Sequence, residues 1–312
     1  MMRRILLATI LGLILVTDSL LKAQPIPYFS GQKAFELLLQ QVEFGPRYPG
    51  SAGHNKMTVF LDDFLRSRAD ELIVHATQVI EPQTGRPIPA TNYLARFNAK
   101  TQERVMLMAH YDTRQIADED PDPAKRSEPI LGANDGASGV AILLQIATIL
   151  VAQKPEVGVD LLFVDAEDMG HPGIPDSYGL GSQAFVKEID AVMEGRLPRY
   201  VVLLDMVGDS LLTLPLEQYS WNYARDVTLT IWNIGEELGY TQFVRKLGGA
   251  VFDDHVPFLR AGIPAVDLID MDYPSTTENY WHTTLDTPDK CSAESLEAVG
   301  TVITTLIFRE QP

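Results

Sequence analysis

The chain has 312 residues, 46% of them hydrophobic, and its 42 acidic against 25 basic side chains leave a net charge of −17. A chain of this length holds one large α/β domain or two small ones, and its composition excludes the disordered and collagen-like classes. So acidic a surface repels nucleic acid and anionic membranes, which excludes both as partners.

The first 23 residues stand apart. Met1-Met2-Arg3-Arg4 is a basic start, Ile5 to Val16 is an apolar run of 12 residues, and Leu21-Lys22-Ala23 offers a cleavage site before Gln24. This is the layout of a secretory signal peptide, and the run is too short for a membrane span. Residues 24–312 are expected to form one exported α/β domain, periplasmic or secreted, monomeric, without stable membrane association and with a net charge of −19. The lone cysteine, Cys291, cannot form an internal disulfide and reads as a buried structural thiol.

Apolar spacing predicts helices over residues 31–44 and 55–69, the second with Val59, Phe60 and Phe64 on its packed side. Strands are expected near 72–80, 91–97, 104–110, 159–165, 199–206 and 263–269, and the first two, being closely connected, form an antiparallel edge. Further helices are expected at 137–152, with Val140, Leu143, Leu144, Ala147 and Val151 as a packing face, and at 181–194, 225–238 and 293–309. The polar, Pro-rich stretch 114–130 reads as a surface loop, and 169–180 as an irregular one. Strands alternating with helices predict a mixed, mostly parallel, twisted sheet with helices on both faces.

Three strands run into acid or histidine at their carboxyl ends: His110 and Asp112 after the first, Asp165, Glu167 and Asp168 after the second, Asp205 after the third. In open α/β sheets ligands gather at that edge. A mixture of His, Asp and Glu suits zinc, which in catalytic sites typically keeps three protein ligands and one open position. Asp135, in LGANDGASG, either caps the following helix or ligates a metal. Of the adjacent Glu167 and Asp168, one can coordinate while the other carries a proton; an exposed acidic turn is the alternative. Asp112 is expected to orient His110, unless His110 is an ordinary core histidine. Asp205 ends a strand so apolar that its carboxylate must be paired, protonated or metal-bound. Residues 252–257 bring Phe252, Asp253, Asp254 and His255, either site residues or acids at the positive end of a helix. Trp281-His282 is either a ligand beside a pocket wall or a common aromatic turn.

Taken together, FGPRYPGS (44–51), AHYDT (109–113), GANDGASG (132–139), DAED (165–168), LGSQAF (180–185), LLDMVGD (203–209), DDHVPFLRAGIP (253–264) and YWHT (280–283) resemble the glutaminyl-peptide cyclotransferases of animal type, in the family's order and over roughly residues 31–309. These glutaminyl cyclases share their fold with the di-zinc aminopeptidases. The resemblance implies a zinc aminopeptidase-like fold and cyclisation of N-terminal glutamine in peptides or proteins to pyroglutamate, with loss of ammonia. It implies one zinc per chain held by Asp135, Asp168 and His282, with Glu167 as general acid/base and Asp205 and Asp253 as acids hydrogen-bonded around it. Trp281, and Phe252 where animal enzymes have glutamine, are implied to line the substrate pocket. His110 matches a histidine that ligates a second zinc in the aminopeptidases but is spared in the cyclases. The chain departs from the animal pattern with Glu167-Asp168 in place of Glu-Glu, Gly173 near a pocket tryptophan's place, and no disulfide; the bacterial-style signal peptide, the aspartate ligand and the missing disulfide suggest a bacterial member. Two rivals are a di-zinc aminopeptidase using His110, Asp135, Asp168, Asp205 and His282, and a secreted binding module without chemistry.

Overall fold

Two N-terminal helices, α1 (Gly31–Val42) and α2 (Ala52–Arg66), lead into the sheet. The structure is a computed structural model that describes residues 25–312 apart from Pro175; the expected signal peptide, its cleavage point and Gln24 lie outside these residues. Each leading helix starts on a serine that accepts a first-turn N–H, Ser30 from Lys33 and Ser51 from His54. That cap at Ser51 starts α2 three residues before the expected 55. Phe60 and Phe64 pack against the core as expected, whereas Val59 is 63% exposed.

β1 (Glu71–Ile80), β2 (Pro87–Phe97), β3 (Arg104–His110), β4 (Gly158–Val164), β5 (Val201–Asp205) and β8 (Ala265–Ile269) form a six-stranded sheet in the order β1-β2-β4-β3-β5-β8. β1 and β2 pair antiparallel and β2 joins β4 antiparallel; β4, β3, β5 and β8 run parallel. The fold is therefore the mixed, mostly parallel sheet expected, with its antiparallel edge. Every residue of β3, β4, β5 and β8 is buried, which is why these strands read as unbroken apolar runs. Their side chains alternate between two cores: Leu107, Leu161 and Val202 face the layer of α1, α3 (Ala137–Ala152) and α9 (Ala293–Arg309), while Met106, Leu162 and Leu203 face the layer of α4 (Leu180–Lys187), α5 (Ile189–Met193) and α8 (His255–Arg260).

α3 is buried almost all round, between the sheet, α1 and α9, so it has no single packing face. Of the face expected for it, Val151 is exposed. The helix lies close on the sheet: a Cβ at Gly139 would stand 2.0 Å from the Leu204 carbonyl oxygen. Elsewhere the single helix expected over 181–194 is two, α4 and α5, meeting at Glu188. Periodicity also passed over α6 (Gln218–Tyr223) and the two-stranded parallel sheet of β6 (Leu214–Leu216) and β7 (Phe243–Leu247), because elements of three to six residues span too little chain to show it. α7 (Arg225–Glu237) matches expectation. Among the described residues no helix is long and apolar enough to cross a membrane.

Candidate metal centre and active site

Parallel strands deliver their ends to one edge, and there the chemistry collects. His110 is the last residue of β3 and Asp205 the last of β5. Asp135 sits just before α3, Glu167 and Asp168 follow β4 through a tight turn, and His282 lies between β8 and α9. Three residues beside or within this site, Ala166, Met206 and His282, hold left-handed φ of 54°, 49° and 55° without being glycine. Strain of this kind persists where the surroundings over-determine it, and it clusters at functional sites.

Each segment is tied down. The Asp286 carboxylate accepts from the backbone of Asn134 (2.8 Å) and Asp135 (3.1 Å). Buried Arg47 donates to the carbonyls of Leu131 (2.8 Å), Gly132 (2.8 Å) and Tyr111 (3.3 Å), fixing the loop ahead of Asp135. Gly136 lets that loop lie against His110, since a Cβ there would stand 2.4 Å from the His110 carbonyl oxygen. Asp165 accepts from His54 Nε2 (2.9 Å), Thr91 N (2.8 Å) and Ala166 N (2.9 Å). Asp112 does not hydrogen-bond His110, whose Nδ1 is 3.6 Å away. Instead its carboxylate accepts from the backbone N–H of Glu167 (3.0 Å) and Asp168 (3.1 Å), so it orients the acidic turn rather than the imidazole. A carboxylate with two convergent N–H donors in reach has stronger partners there than one ring nitrogen at that distance.

Two groups of three buried residues bring ligand atoms within 4.8 Å of one another: Asp135, Asp168 and His282, and His110, Asp135 and Asp205. In the first, His282 Nε2 lies 3.0 Å from Asp168 Oδ1 and 3.7 Å from Asp135 Oδ2. Both Asp168 carboxylate oxygens are buried, and among the described residues no hydrogen-bond donor is aligned on either. Orphaned acceptors of this kind cost free energy unless a cation takes them up. With one imidazole and two carboxylates, the donor set fits zinc. Asp135 is not a helix cap; α3 begins on Gly136 with no side-chain cap bond.

Burial and the neighbouring Asp253 charge hold the Glu167 carboxyl well above the usual carboxylate range. Burial, then the Asp205 charge, push Asp253 up to about 7. Burial alone would lower His282, but Asp168, Asp118 and Asp135 lift it to about 9. Among the described residues no hydrogen bond joins the Glu167 carboxyl to Asp205 or Asp253. Asp205 instead meets His110 Nε2 at 3.2 Å, and Asp253 Oδ1 accepts from Asp254 N at 2.5 Å. Asp253 acts on Glu167 through its charge and Asp205 acts on Asp253, and neither makes the direct bond expected.

A cavity of about 490 Å³ opens on these groups. Asp135, Glu167, Asp205, Asp253 and His282 line its floor chemistry, and Trp281, Phe252, Tyr178, Val251, Ile269 and Met271 give it an apolar wall. The Trp281 ring stacks on His282 at 3.7 Å between centroids. Gly173 is not among the lining residues; Pro172 beside it is. Cys291 is buried, as expected.

Contributors outside the expected set include Arg47, His54, Tyr178, Asp286 and Arg114, whose Nη1 donates to the Asp168 carbonyl at 2.9 Å. The signals for them were Arg47's place in FGPRYPGS and Tyr178's in the irregular stretch 169–180.

The sequence profile of peptidase family M28 matches residues 92–307. The glutaminyl-peptide cyclotransferase of Bos taurus is 24% identical over 293 residues, spanning 84% of this chain and 78% of that protein. The crystal structure of Bacteroides thetaiotaomicron glutaminyl cyclase bound to N-acetylhistamine superposes with a TM-score of 0.87 at 33% identity, covering 92% of this chain and 100% of that one. A Zn-dependent exopeptidase from Parabacteroides distasonis superposes equally well, with a TM-score of 0.87 at 34% identity over 92% of this chain and 100% of that one.

Proposed function

The chain belongs to peptidase family M28, and on this scaffold we propose that it is a zinc-dependent glutaminyl-peptide cyclotransferase, converting the N-terminal glutamine of peptides and proteins to pyroglutamate with release of ammonia. The observation that carries this reading is Glu167: a proton-loving carboxyl facing the cavity, beside the Asp135–Asp168–His282 group but not part of it. An enzyme, rather than a binding module without chemistry, also agrees with the named relatives.

Asp135, Asp168 and His282 would hold zinc, which when bound supplies Lewis-acid polarisation of the glutamine γ-carbonyl. The substrate's own α-amino nitrogen attacks that carbon, forming the ring C–N bond. Glu167 takes a proton from the attacking amine and returns it to the departing nitrogen as the original C–N bond breaks, so ammonia leaves. The reaction is intramolecular, and the cavity need only hold the glutamine bent. The Trp281 and Phe252 rings pack its methylenes and exclude water. Burial and Asp253 keep Glu167 avid enough for the proton it carries.

A di-zinc aminopeptidase has in its favour the second group of His110, Asp135 and Asp205, which shares Asp135 with the first, and the family link to a Zn-dependent exopeptidase. Incubation with a Gln-initiated peptide separates the two: ammonia release without peptide-bond cleavage supports the cyclase, and cleavage without ammonia refutes it. Signal cleavage after Ala23 and export as a monomer belong to the same proposal. Mass spectrometry of the mature N-terminus tests them, Gln24 with or without loss of ammonia being the expected first residue.

A further inference from the structure

Residues 114–130 look like solvated loop by composition, yet Arg114 and Asp120 are buried, 2% and 1% exposed. We propose that Asp118 and Arg114 are positioning residues for the metal centre: Asp118 orients the His282 imidazole, and Arg114 locks Asp118 to the turn that carries Asp168. The inference rests on the reading of Asp135, Asp168 and His282 as metal ligands.

Asp118 Oδ1 lies 3.4 Å from His282 Nδ1, on the side of the ring away from Asp168 and Asp135. The pair is not aligned as a hydrogen bond, and His282 Nδ1 has no other partner among the described residues, so the Asp118 carboxylate is the acceptor nearest that nitrogen; a proton on Nδ1 facing it leaves the Nε2 lone pair for the other two ligands. Arg114 then fastens the carboxylate. Its fork reaches Asp118 Oδ1 through Nε (3.0 Å) and Oδ2 through Nη2 (2.6 Å). Its remaining nitrogen, Nη1, donates to the backbone carbonyls of Asp168 (2.9 Å) and Gly170 (2.5 Å). Only arginine offers a planar fork and a spare donor together, so lysine is no equivalent here.

The loop grips the His282 segment at two further points. Glu119 N donates to the His282 carbonyl (3.2 Å), and Asp120 Oδ2 accepts from Thr284 N (2.9 Å) and Thr284 Oγ1 (2.6 Å). With Asp286 holding Asp135, the three ligand segments are cross-braced: 118 to 282, 114 to 168, and 286 to 135. An exposed i,i+4 Arg–Asp pair would contribute little. Here Arg114 is buried and Asp118 half-buried, and Arg114 joins Asp118 to the backbone of the Asp168 turn.

The test is zinc affinity of the full chain, measured by competition with a chromogenic chelator at neutral pH, alongside urea unfolding of the metal-free protein. Asp118→Ala is expected to weaken zinc binding about 10–100-fold, the usual loss when a ligand's orienting partner goes. Asp118→Glu should restore part of the affinity, and Arg114→Lys should lose about tenfold within the same range. Zinc binding within twofold of wild type in both Asp118→Ala and Asp118→Asn, with only the unfolding midpoint lowered, would overturn the proposal and leave a loop staple. If Asp118→Ala does not fold, the near-isosteric Asp118→Asn decides by the same criterion. Wild-type protein that binds no zinc would sink the metal reading itself, and is thereby distinguishable from failure of this inference.

Discussion

Asp112→Asn tests how the acidic turn is held. The Asp112 carboxylate, fully buried, accepts one backbone N–H with each oxygen, from Glu167 at 3.0 Å and Asp168 at 3.1 Å. Asparagine keeps one acceptor and turns an NH2 group towards the other N–H. One charge-assisted bond, worth about 1.5–3 kcal/mol, is lost, and the other loses its charge. The buried N–H left without a partner carries the cost of its desolvation, so the total is about 2–4 kcal/mol. For a chain of this size that corresponds to a fall in Tm of about 3–7 °C. The same turn carries Glu167 and Asp168, so zinc affinity and turnover should fall together with stability. Urea unfolding of the metal-free protein gives the stability, and chelator competition gives the affinity. A variant within 0.5 kcal/mol of wild type, with zinc binding intact, would show that the turn keeps its shape without Asp112 and would refute the reasoning.

Glu167→Gln is expected to abolish ammonia release while zinc stays bound, because the amide cannot carry the proton; retained turnover refutes its role as proton carrier. Phe252→Ala should raise KM for a Gln-initiated peptide about 5–30-fold through lost apolar contact, with kcat less affected; an unchanged KM would remove Phe252 from the substrate pocket. The His54–Asp165 pair sets a pH dependence. Burial opposes the His54 charge, but the Asp165 hydrogen bond and charge outweigh it, so its folded pKa is raised above the unfolded value. The pair's contribution is therefore fully present below about pH 6.5, the unfolded histidine value, and is lost as pH rises through the folded pKa. The urea-midpoint gap between wild type and His54→Gln should be widest near pH 6 and shrink towards alkaline pH; a gap that widens with pH would contradict the pairing.

What could be read ahead of the structure follows from where the information lies along the chain. β3 was legible to the residue because an unbroken apolar run, residues 105–109, is bounded by Arg104 and His110. His110, Asp205 and the Asp165–Asp168 turn were legible because they close apolar strands at their carboxyl ends, a place where ionised groups need a reason; Asp135, Asp253 and His282 lie in loops and took their roles from the resemblance. Asp112 was seen but given the wrong partner, since sequence adjacency favoured His110 and the true donors lie 55 and 56 residues on. Asp286 and Arg114 gave no signal. One reaches back 152 residues to Asn134, and the other is an arginine in a stretch whose proline and charge content matches that of solvated loops. Burial of such residues is a property of the packed whole, invisible to any local window.

The count of metal ions turns on His110. Its Nε2 stands 3.1 Å from Asp135 Oδ1 and 3.2 Å from Asp205 Oδ1, so one imidazole spans the two carboxylates of the second group. A second ion would need that same space and the same Asp135 oxygen, and would break both contacts. A protonated His110 would supply the positive charge which those carboxylates require, and burial is outweighed by Asp205 and Asp135, which raise its pKa. One ion, in the group that contains Asp168's two orphaned oxygens, is the count expected on the proposed function. Elemental analysis of protein saturated with zinc and then desalted is expected to give one ion per chain in wild type and still one in His110→Gln. Two ions in wild type falling to one in the variant would mean that His110 is a ligand, and the aminopeptidase reading of the site would take its place.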